Sequence, residues 1–141
     1  MSTDLDSLDE KIVRILQVDS RRPFVEIAGE IGLSESAVRR RVRNMVNNGV
    51  ITQFTLELGA SGKTSAITLI SVSSTSDTSA VSSELKKLSG VQVIYEITGQ
   101  YDIAAILSAP TIGDINKCID DVRKTIGVSD TNTVIVLKTL R

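Results

Sequence analysis

Residues 34–49 read SESAVRRRVRNMVNNG, and this stretch decides the fold of the first part of the chain. Its apolar residues recur at the three- and four-residue spacing of one helical face. They are Val38, Val42, Met45 and Val46. Ser34 is of a type that caps helix N-termini, and Gly49 is of the type that most often ends helices. The stretch therefore predicts an amphipathic helix with a narrow apolar stripe facing a core.

The opposite face of this helix is rich in arginine and asparagine. Residues 36–48 include four Arg and no acidic residue, whereas residues 4–10 include four acidic residues and no base. Arginine and asparagine pair with the edges of guanine and adenine, and arginine also binds phosphate. The candidate DNA-binding residues are Ser34, Ser36, Arg39, Arg40, Arg43 and Asn44. The alternative is an ordinary solvated helix face that happens to be rich in arginine.

Two further helices are predicted before this one. In LDSLDEKIVRIL (5–16) the apolar residues again follow helical spacing, and the N-terminal cap is either Asp6 or a capping box of Ser7 with Glu10. Residues 24–32 predict a short second helix that a glycine ends. A very short connection joins the second helix to the third. This arrangement predicts a helix-turn-helix, whose last helix enters the major groove of DNA with its N-terminal serines near the phosphates.

The pattern changes after the third helix. Residues 50–58, VITQFTLEL, are rich in β-branched residues and predict an extended wing. The following segment GASGKTS (59–65) predicts a flexible joint. We therefore expect a winged helix-turn-helix domain with its linker strand at 1–58 and a second domain at 59–141.

The second domain shows strand and helix patterns in turn. Strands are predicted at 66–72, 91–98, 101–109 and 131–139, and helices at 80–88 and 111–127. Gly99 and Gln100 predict a two-residue hairpin turn between the two middle strands. The order βαββαβ is that of the ferredoxin-like split motif, so the predicted fold class of the whole chain is α+β.

The predicted sheet has apolar residues on both of its faces. In the last strand Val134 and Val136 share one face, whereas Ile135 and Leu137 share the other, and the strand at 101–109 shows the same pattern. Both helices should pack on one side of the sheet, and a face left in water normally alternates with polar residues. A second copy of the chain is the simplest cover for the open face. The sequence therefore predicts an obligate homodimer.

Composition excludes several classes of function. The chain has 141 residues, no His and a single Cys, which excludes His-based catalytic triads, His-ligated metal sites and an internal disulfide. No pair of carboxylates is placed for acid–base catalysis, so we expect neither enzyme activity nor a cofactor or metal. Cys118 is expected to be a small buried residue on a helix.

The charge and the hydropathy of the chain limit which partners it can have and where we expect it to be located. The net charge of −1 excludes a uniformly basic nucleic-acid binder but allows a local basic patch. No apolar run is long enough to cross a bilayer, and the acidic N-terminus is unlike a secretory signal. We therefore expect a cytoplasmic protein without a membrane partner.

The segment TGQYDI (98–103) is the best candidate for a ligand site. A tight turn exposes backbone N–H and C=O groups, and Tyr101 and Asp102 add a phenol and a carboxylate. Such a group of atoms can hold the ammonium and carboxylate of an amino acid, particularly at a subunit junction. The alternative is a simple hairpin turn.

Four segments together resemble the Lrp/AsnC family of leucine-responsive, or feast/famine, regulators. They are LDSLDEKIVRIL (5–16), IAGEIGLSESAVRRRVRNMVNNGVI (27–51), TGQYDI (98–103) and TNTVIVLK (131–138). The resemblance covers essentially the whole chain, and the small size and lack of His are similar to archaeal members. It implies a sequence-specific DNA-binding transcription regulator of amino-acid metabolism, in the manner of a lysine-biosynthesis regulator.

The resemblance also implies how the second domain works. Dimers form through the sheets and assemble further, commonly into octamers, and a small amino acid, here lysine or glutamine, binds between dimers. Transferred to this sequence, the effector-binding residues are Gly99, Tyr101, Asp102, Thr131 and Thr133. The alternative function is an amino-acid-binding metabolic sensor whose helical half contacts a protein partner.

Overall fold

A computed structural model of the chain describes residues 5–57 and 62–140. The chain forms two compact units, Met1–Glu57 and Leu58–Arg141. Of the joint predicted at 59–65, residues 59–61 lie outside the described residues, and a strand begins at Thr64.

The first unit contains α1 (Ser7–Val18), α2 (Phe24–Ile31) and α3 (Glu35–Asn47). Asp6 is the cap of α1, since its Oδ1 accepts hydrogen bonds from the backbone N–H groups of Leu8 (2.9 Å) and Asp9 (2.8 Å). The side chain of Asp9 in turn accepts a bond from the backbone N–H of Asp6, which completes a capping box. Of the two caps considered from the sequence, Asp6 is therefore the one that forms.

The turn between α2 and α3 follows the prediction. Gly32 ends α2 with φ +74°, a left-handed conformation that glycine adopts without a steric cost. Ser34 caps α3 by accepting a hydrogen bond from the backbone N–H of Ala37 at 3.2 Å. These two caps place α3 directly after α2, as a helix-turn-helix requires.

One aliphatic core joins the three helices. Its buried residues are Ile12, Leu16, Ile27, Ala28, Val38, Val42 and Met45. The prediction that Val46 completes the apolar stripe of α3 is wrong, because this side chain lies at the edge of the stripe in the last helical turn and is 42% exposed. The stripe is therefore narrower than its sequence suggests.

The extended wing expected after α3 does not form a strand. Val50 and Ile51 turn back onto the helices, since both of their backbone N–H groups donate to the carbonyl oxygen of Met45. Residues 52–57 have no regular secondary structure. A β-branched segment becomes a strand only when a neighbouring strand accepts its backbone hydrogen bonds, and residues 50–57 have no such neighbour in the described part of their own unit.

The second unit has the predicted βαββαβ order. Its elements are β1 (Thr64–Val72), α4 (Thr78–Lys86), β2 (Val91–Glu96), β3 (Ile103–Ala109), α5 (Ile112–Lys124) and β4 (Val128–Ile135). The strands form one antiparallel sheet in the order β2-β3-β1-β4. The ferredoxin-like prediction and the α+β class are confirmed.

The end of β2 and the start of β3, which meet at the hairpin, differ from the prediction. The two-residue turn at Gly99 and Gln100 is instead a wider loop, which the backbone bond from Ile97 N–H to Asp102 O closes at 2.9 Å. The reason is that the backbone N–H of Asp102 donates to Ile70 O of β1 at 3.0 Å and so leaves the hairpin ladder.

Strand β4 begins and ends earlier than the predicted range 131–139. It pairs with β1 from Val128 to Ile135, and Val136 donates its N–H to Ser65 O near the start of β1. Residues 137–140 extend beyond the first residues of β1 and have no regular secondary structure. The partner strand, and not the β propensity of the segment, therefore determines where β4 ends.

Both helices of the second unit pack on one face of the sheet. The buried residues between them include Ile70, Ile103, Leu107, Leu85, Ile115 and Val122. Cys118 is part of this core, as predicted, and burial together with the nearby Asp121 raises the pKa of its thiol. The thiol is therefore protonated and unreactive at neutral pH.

The other face of the sheet, which we call the open face, is apolar as predicted. Its centre consists of Ile67, Leu69, Val93, Tyr95, Ala104, Ile106, Asn132 and Val134, and Ser65, Ser71, Ser108 and Asp130 lie toward its ends. Val134 is 52% exposed and Tyr95 is 55% exposed. An apolar sheet face of this composition is unusual in water.

A close contact between α4 and the start of β4 makes Gly127 sensitive to substitution. Gly127 has φ +94°, and a Cβ built there lies 2.6 Å from Val81 Cγ2 and 3.0 Å from Ser76 Oγ. We expect Gly127→Ala to lower the free energy of unfolding by about 3 kcal/mol, from backbone strain and overpacking together. Urea unfolding followed by circular dichroism measures this loss.

Gly62→Ala is the matched control for backbone strain alone. Gly62 has φ +67°, and a Cβ there has no atom within 4 Å. We expect it to cost about 1 kcal/mol. Equal losses in the two variants would show that the contact with Val81 has no effect.

Candidate functional site

The exposed face of α3 contains two arginines that no other side chain neutralises. Arg40 and Arg43 are exposed and make no ion pair or hydrogen bond within residues 5–57 and 62–140. Asn44 is exposed one turn after Arg40, so the three side chains share one helix face. A face with two free guanidinium groups and an amide matches the groups that contact phosphates and base edges in DNA.

Arg39 is held in place by two neighbours. Its Nη2 lies 2.6 Å from Glu35 Oε1, one turn earlier on α3. Its guanidinium carbon also lies 5.3 Å from the ring centroid of Phe24, at the start of α2. Arg39 therefore lies at the flank of the candidate face, on the side of Phe24, with its charge compensated and its position restricted.

Arg41 has a structural role instead. Its Nη1 lies 2.6 Å from Asp6 Oδ2 and 2.8 Å from Asp9 Oδ1, and so links α3 to the cap of α1. The backbone N–H of Asp9, followed by the Arg41 guanidinium, holds the pKa of Asp6 below its usual value. The two aspartates raise the pKa of Arg41. Arg41 thus connects α3 to α1, whereas Arg39 pairs within its own helix.

The structure brings Ser34 and Ser36 together at the start of α3. Their Oγ atoms lie 3.1 Å apart, and Ser34 Oγ also accepts the N–H of Ala37. Both serines are exposed. Hydroxyl groups at a helix N-terminus, where unpaired backbone N–H groups and the helix dipole favour negative charge, suit an anion such as a DNA phosphate.

In the second unit, Asp102 and Tyr101 fasten the β2–β3 loop to the sheet. Asp102 Oδ2 accepts the backbone N–H of Val72 at 2.7 Å. The hydroxyl of Tyr101 accepts a hydrogen bond from Asn132 Nδ2 of β4 at 3.4 Å. Gly99 is exposed in the same loop, with φ +119°. The structure therefore brings this loop close to β4, as the predicted ligand site requires.

The two threonines of the predicted site point elsewhere. Thr131 pairs with the buried Ile70 and accepts a bond from Arg123 Nε at 3.2 Å. The Oγ1 of Thr133 lies 2.9 Å from that of Thr68, which is also buried. Both threonines therefore lie on the helix-covered side of β4, and their hydroxyls already have partners in this unit.

Asn132, which the sequence did not single out, is the β4 residue that reaches the loop. Alternation along a strand places it on the face opposite to its two neighbours. The alternation in the sequence already placed Asn132 opposite the two threonines, but only the register of β4 with β1 shows which of the two faces meets the loop. The pair of Glu35 and Arg39 could have been found from its i,i+4 spacing, whereas the contact of Phe24 with Arg39 depends on the packing of α2 and α3.

None of the helices in the described part of the chain is long and apolar enough to span a membrane. In residues 5–57 and 62–140, there is no group of three or more His, Cys, Asp or Glu side chains placed to hold a metal ion.

Comparison with family models assigns both units. Residues 5–46 match the AsnC-type helix-turn-helix domain, and residues 65–141 match the Lrp/AsnC ligand binding domain. The chain belongs to the Lrp/AsnC family. The resemblance inferred from the four sequence segments is thereby confirmed, and this Lrp/AsnC protein is a transcription regulator with a helix-turn-helix domain and a ligand-binding domain.

Named regulators cover this Lrp/AsnC protein along nearly its whole length. The HTH-type transcriptional regulator LysM of Sulfurisphaera tokodaii is 38% identical over 135 residues, which are 96% of each chain. The HTH-type transcriptional regulator FL11 of Pyrococcus horikoshii is 34% identical over 141 residues, covering 99% of this chain and 93% of FL11. Relatives at this level are named as transcriptional regulators and not as enzymes.

Solved structures show the same architecture. The feast or famine regulatory protein of M. tuberculosis, complexed with L-methionine, has a TM-score of 0.89 and 27% identity, covering 98% of this chain and 95% of its own. The AsnC structure of E. coli has a TM-score of 0.83 at 24% identity, covering 96% and 94%. The second of these likenesses concerns the fold alone.

Proposed function

We propose that this regulator binds specific DNA sequences through α3, controls genes of amino-acid metabolism, and changes its DNA binding when an amino acid occupies the second domain. The observation that supports the proposal most directly is the pair of uncompensated arginines, Arg40 and Arg43, on the exposed face of a capped third helix. In a helix-turn-helix this is the face that enters the major groove. We propose 1–58 as the DNA-binding domain and 59–141 as the effector and oligomerisation domain.

Each candidate residue of α3 has a distinct role in this proposal. Arg39, Arg40, Arg43 and Asn44 contact DNA, and the hydroxyls of Ser34 and Ser36 hold a phosphate at the helix N-terminus. The chain acts by binding and not by catalysis, and it works in the cytoplasm. In a symmetric dimer the two third helices read half-sites about 34 Å apart or a multiple of that distance.

We propose that the effector is an amino acid held near the β2–β3 loop and β4. Gly99, Tyr101 and Asp102 supply backbone groups, a phenol and a carboxylate, whereas Thr131 and Thr133 face the helices and are left out of the proposed set. We add Asn132 to this set because its side chain already reaches Tyr101. The M. tuberculosis relative complexed with L-methionine supports an amino acid as the ligand class. Lysine and glutamine remain our two candidates.

We also propose that the open face pairs with that of a second copy, and that dimers assemble further into octamers. The face joins aliphatic residues of all four strands, and Val93 and Val134 at its two edges are exposed. Burial of such a face between two copies stabilises the dimer by about 25 cal/mol for each Å² of apolar surface removed from water. A homodimer also supplies the twofold symmetry that paired DNA half-sites require.

Two measurements on the purified full chain test the proposal. Binding to fluorescent duplex DNA should weaken steeply with added salt, because bound arginines release counterions from the phosphates. In a thermal-shift screen of the twenty amino acids, the effector should raise the melting temperature of the protein. Salt-insensitive or absent DNA binding, together with a clear amino-acid shift, would instead favour a sensor whose helical half contacts a protein partner.

Asp102→Asn tests the position of the effector. The asparagine Oδ1 can still accept the N–H of Val72, so the loop keeps its anchor while the negative charge is lost. We expect the affinity for the amino acid found in the screen to fall about 10-fold or more, since its ammonium loses a charged partner. Isothermal titration calorimetry measures the change, and DNA binding of the ligand-free variant should stay as in the wild type.

Asp120→Asn is the charge-matched control, since this exposed aspartate lies on α5. It should bind the amino acid as the wild type does. An unchanged affinity in Asp102→Asn would place the effector away from the β2–β3 loop.

A further inference from the structure

The cluster of Glu35, Arg39 and Phe24 differs from the rest of the α3 face. Arg40 and Arg43 make no ion pair or hydrogen bond in the described part of the chain, whereas Arg39 donates to Glu35 Oε1 at 2.6 Å and stacks over the ring of Phe24 at 5.3 Å. The ring of Phe24 packs against the helical core of the first unit. Arg39 is therefore held between a carboxylate and a ring that is itself fixed.

The charge of this cluster disfavours a phosphate as its partner. Glu35 and Arg39 together are neutral, so the pair attracts a phosphate less strongly than Arg40 and Arg43 do. A partner that suits the pair must offer acceptors to the guanidinium and a donor to the carboxylate. In the major groove a G·C base pair offers this combination, with O6 and N7 of guanine as acceptors and the N4 amino group of cytosine as donor.

The position of the pair on α3 also suits a base edge. Glu35 is the first residue of α3 and Arg39 lies one turn later. Residues near the N-terminus of the recognition helix are the ones that contact bases in helix-turn-helix proteins. Fixing a guanidinium before binding lowers the entropy lost when it makes two bonds to one base.

We infer that Glu35 and Arg39 together read one G·C base pair in each half-site, and that Phe24 is a positioning residue for Arg39. Arg39 donates to guanine O6 and N7, and Glu35 accepts from cytosine N4. Arg40 and Arg43 in contrast contact phosphates. This inference rests on the proposed DNA binding, and it adds which base pair is read and by which residues.

The test is selection from a library of duplexes with randomised central positions, followed by affinity measurements in a salt series. The wild-type protein should select duplexes that have a G·C pair at the same position of each half-site. Arg39→Ala and Glu35→Ala, which remove the donor and the acceptor outright, should lower the discrimination at that pair about 10-fold or more. Arg40→Ala should keep the discrimination while its salt slope falls by about one.

Two substitutions of Phe24 separate positioning from folding. Phe24→Leu removes the ring under Arg39 and should relax the same G·C preference, with the salt slope unchanged. Phe24→Tyr keeps the ring and should restore the preference. Melting temperatures of both variants are measured alongside, and loss of the preference in both, at wild-type stability, would remove Phe24 from the inference.

The outcomes also distinguish this inference from the proposal on which it rests. If the wild-type protein enriches sites and Arg39→Ala enriches the same sites with the same G·C preference, the base-reading role of the pair is overturned while DNA binding stands. If the wild-type protein binds no duplex even in dilute buffer, the proposed function fails and the inference fails with it.

Discussion

Replacing Arg40 and Arg43 together by alanine is expected to weaken duplex binding about 1,000-fold at low salt, because each lost DNA contact costs about 2 kcal/mol. Neither guanidinium has an ion-pair or hydrogen-bond partner within the described residues, so their removal breaks no such bond there. The slope of log affinity against log salt should fall by about two, since two phosphate contacts are lost. Fluorescence anisotropy titrations at several salt concentrations measure both quantities.

A double variant with the same loss of charge provides the control. Arg14 on α1 and Lys117 on α5 are 79% and 81% exposed, and each pairs only with an acidic residue on its own helix. Arg14→Ala with Lys117→Ala should change the affinity little and leave the salt slope near that of the wild type. Equal weakening in both double variants would mean that net charge, and not the face of α3, determines DNA binding.

Replacing Val134 by lysine is expected to separate the proposed dimer. Val134 lies on the open face opposite Ile67 of β1 and is 52% exposed, so the monomer accommodates a lysine there. In the dimer the same ammonium would be buried in an apolar interface without a partner. Such a burial costs several kcal/mol, so we expect the dissociation constant to rise by about 1,000-fold. Size-exclusion chromatography with light scattering measures the mass in solution.

Ile126→Lys is the control for adding a lysine to this unit. Ile126 is 92% exposed and lies in the turn between α5 and β4, outside the paired residues of the strands that form the open face. This variant should keep the mass of the wild type, and circular dichroism should show both variants folded. A Val134→Lys protein with the wild-type mass would place the contact between copies on another surface.

The sequence determined those features that depend on near neighbours in the chain. Helical periodicity and caps predicted α3 with Ser34 before it and a glycine after it, and the structure agrees. The βαββαβ order followed from strand and helix patterns in turn, and the apolar open face followed from alternation along the strands. The missing His residues and the arginine-rich third helix were enough to favour DNA binding over catalysis.

The tertiary structure alone decided which side chains are free and which are engaged. Four arginines of α3 look alike in sequence, but the fold binds Arg41 to Asp6, which lies 35 residues away, and leaves Arg40 and Arg43 unpaired. In the same way, the register of β4 on β1 turned Thr131 and Thr133 toward the helices and Asn132 toward Tyr101. Local patterns specify helices and strands, whereas contacts between distant residues exist only once the chain is packed, and these contacts select the residues that remain available for a ligand.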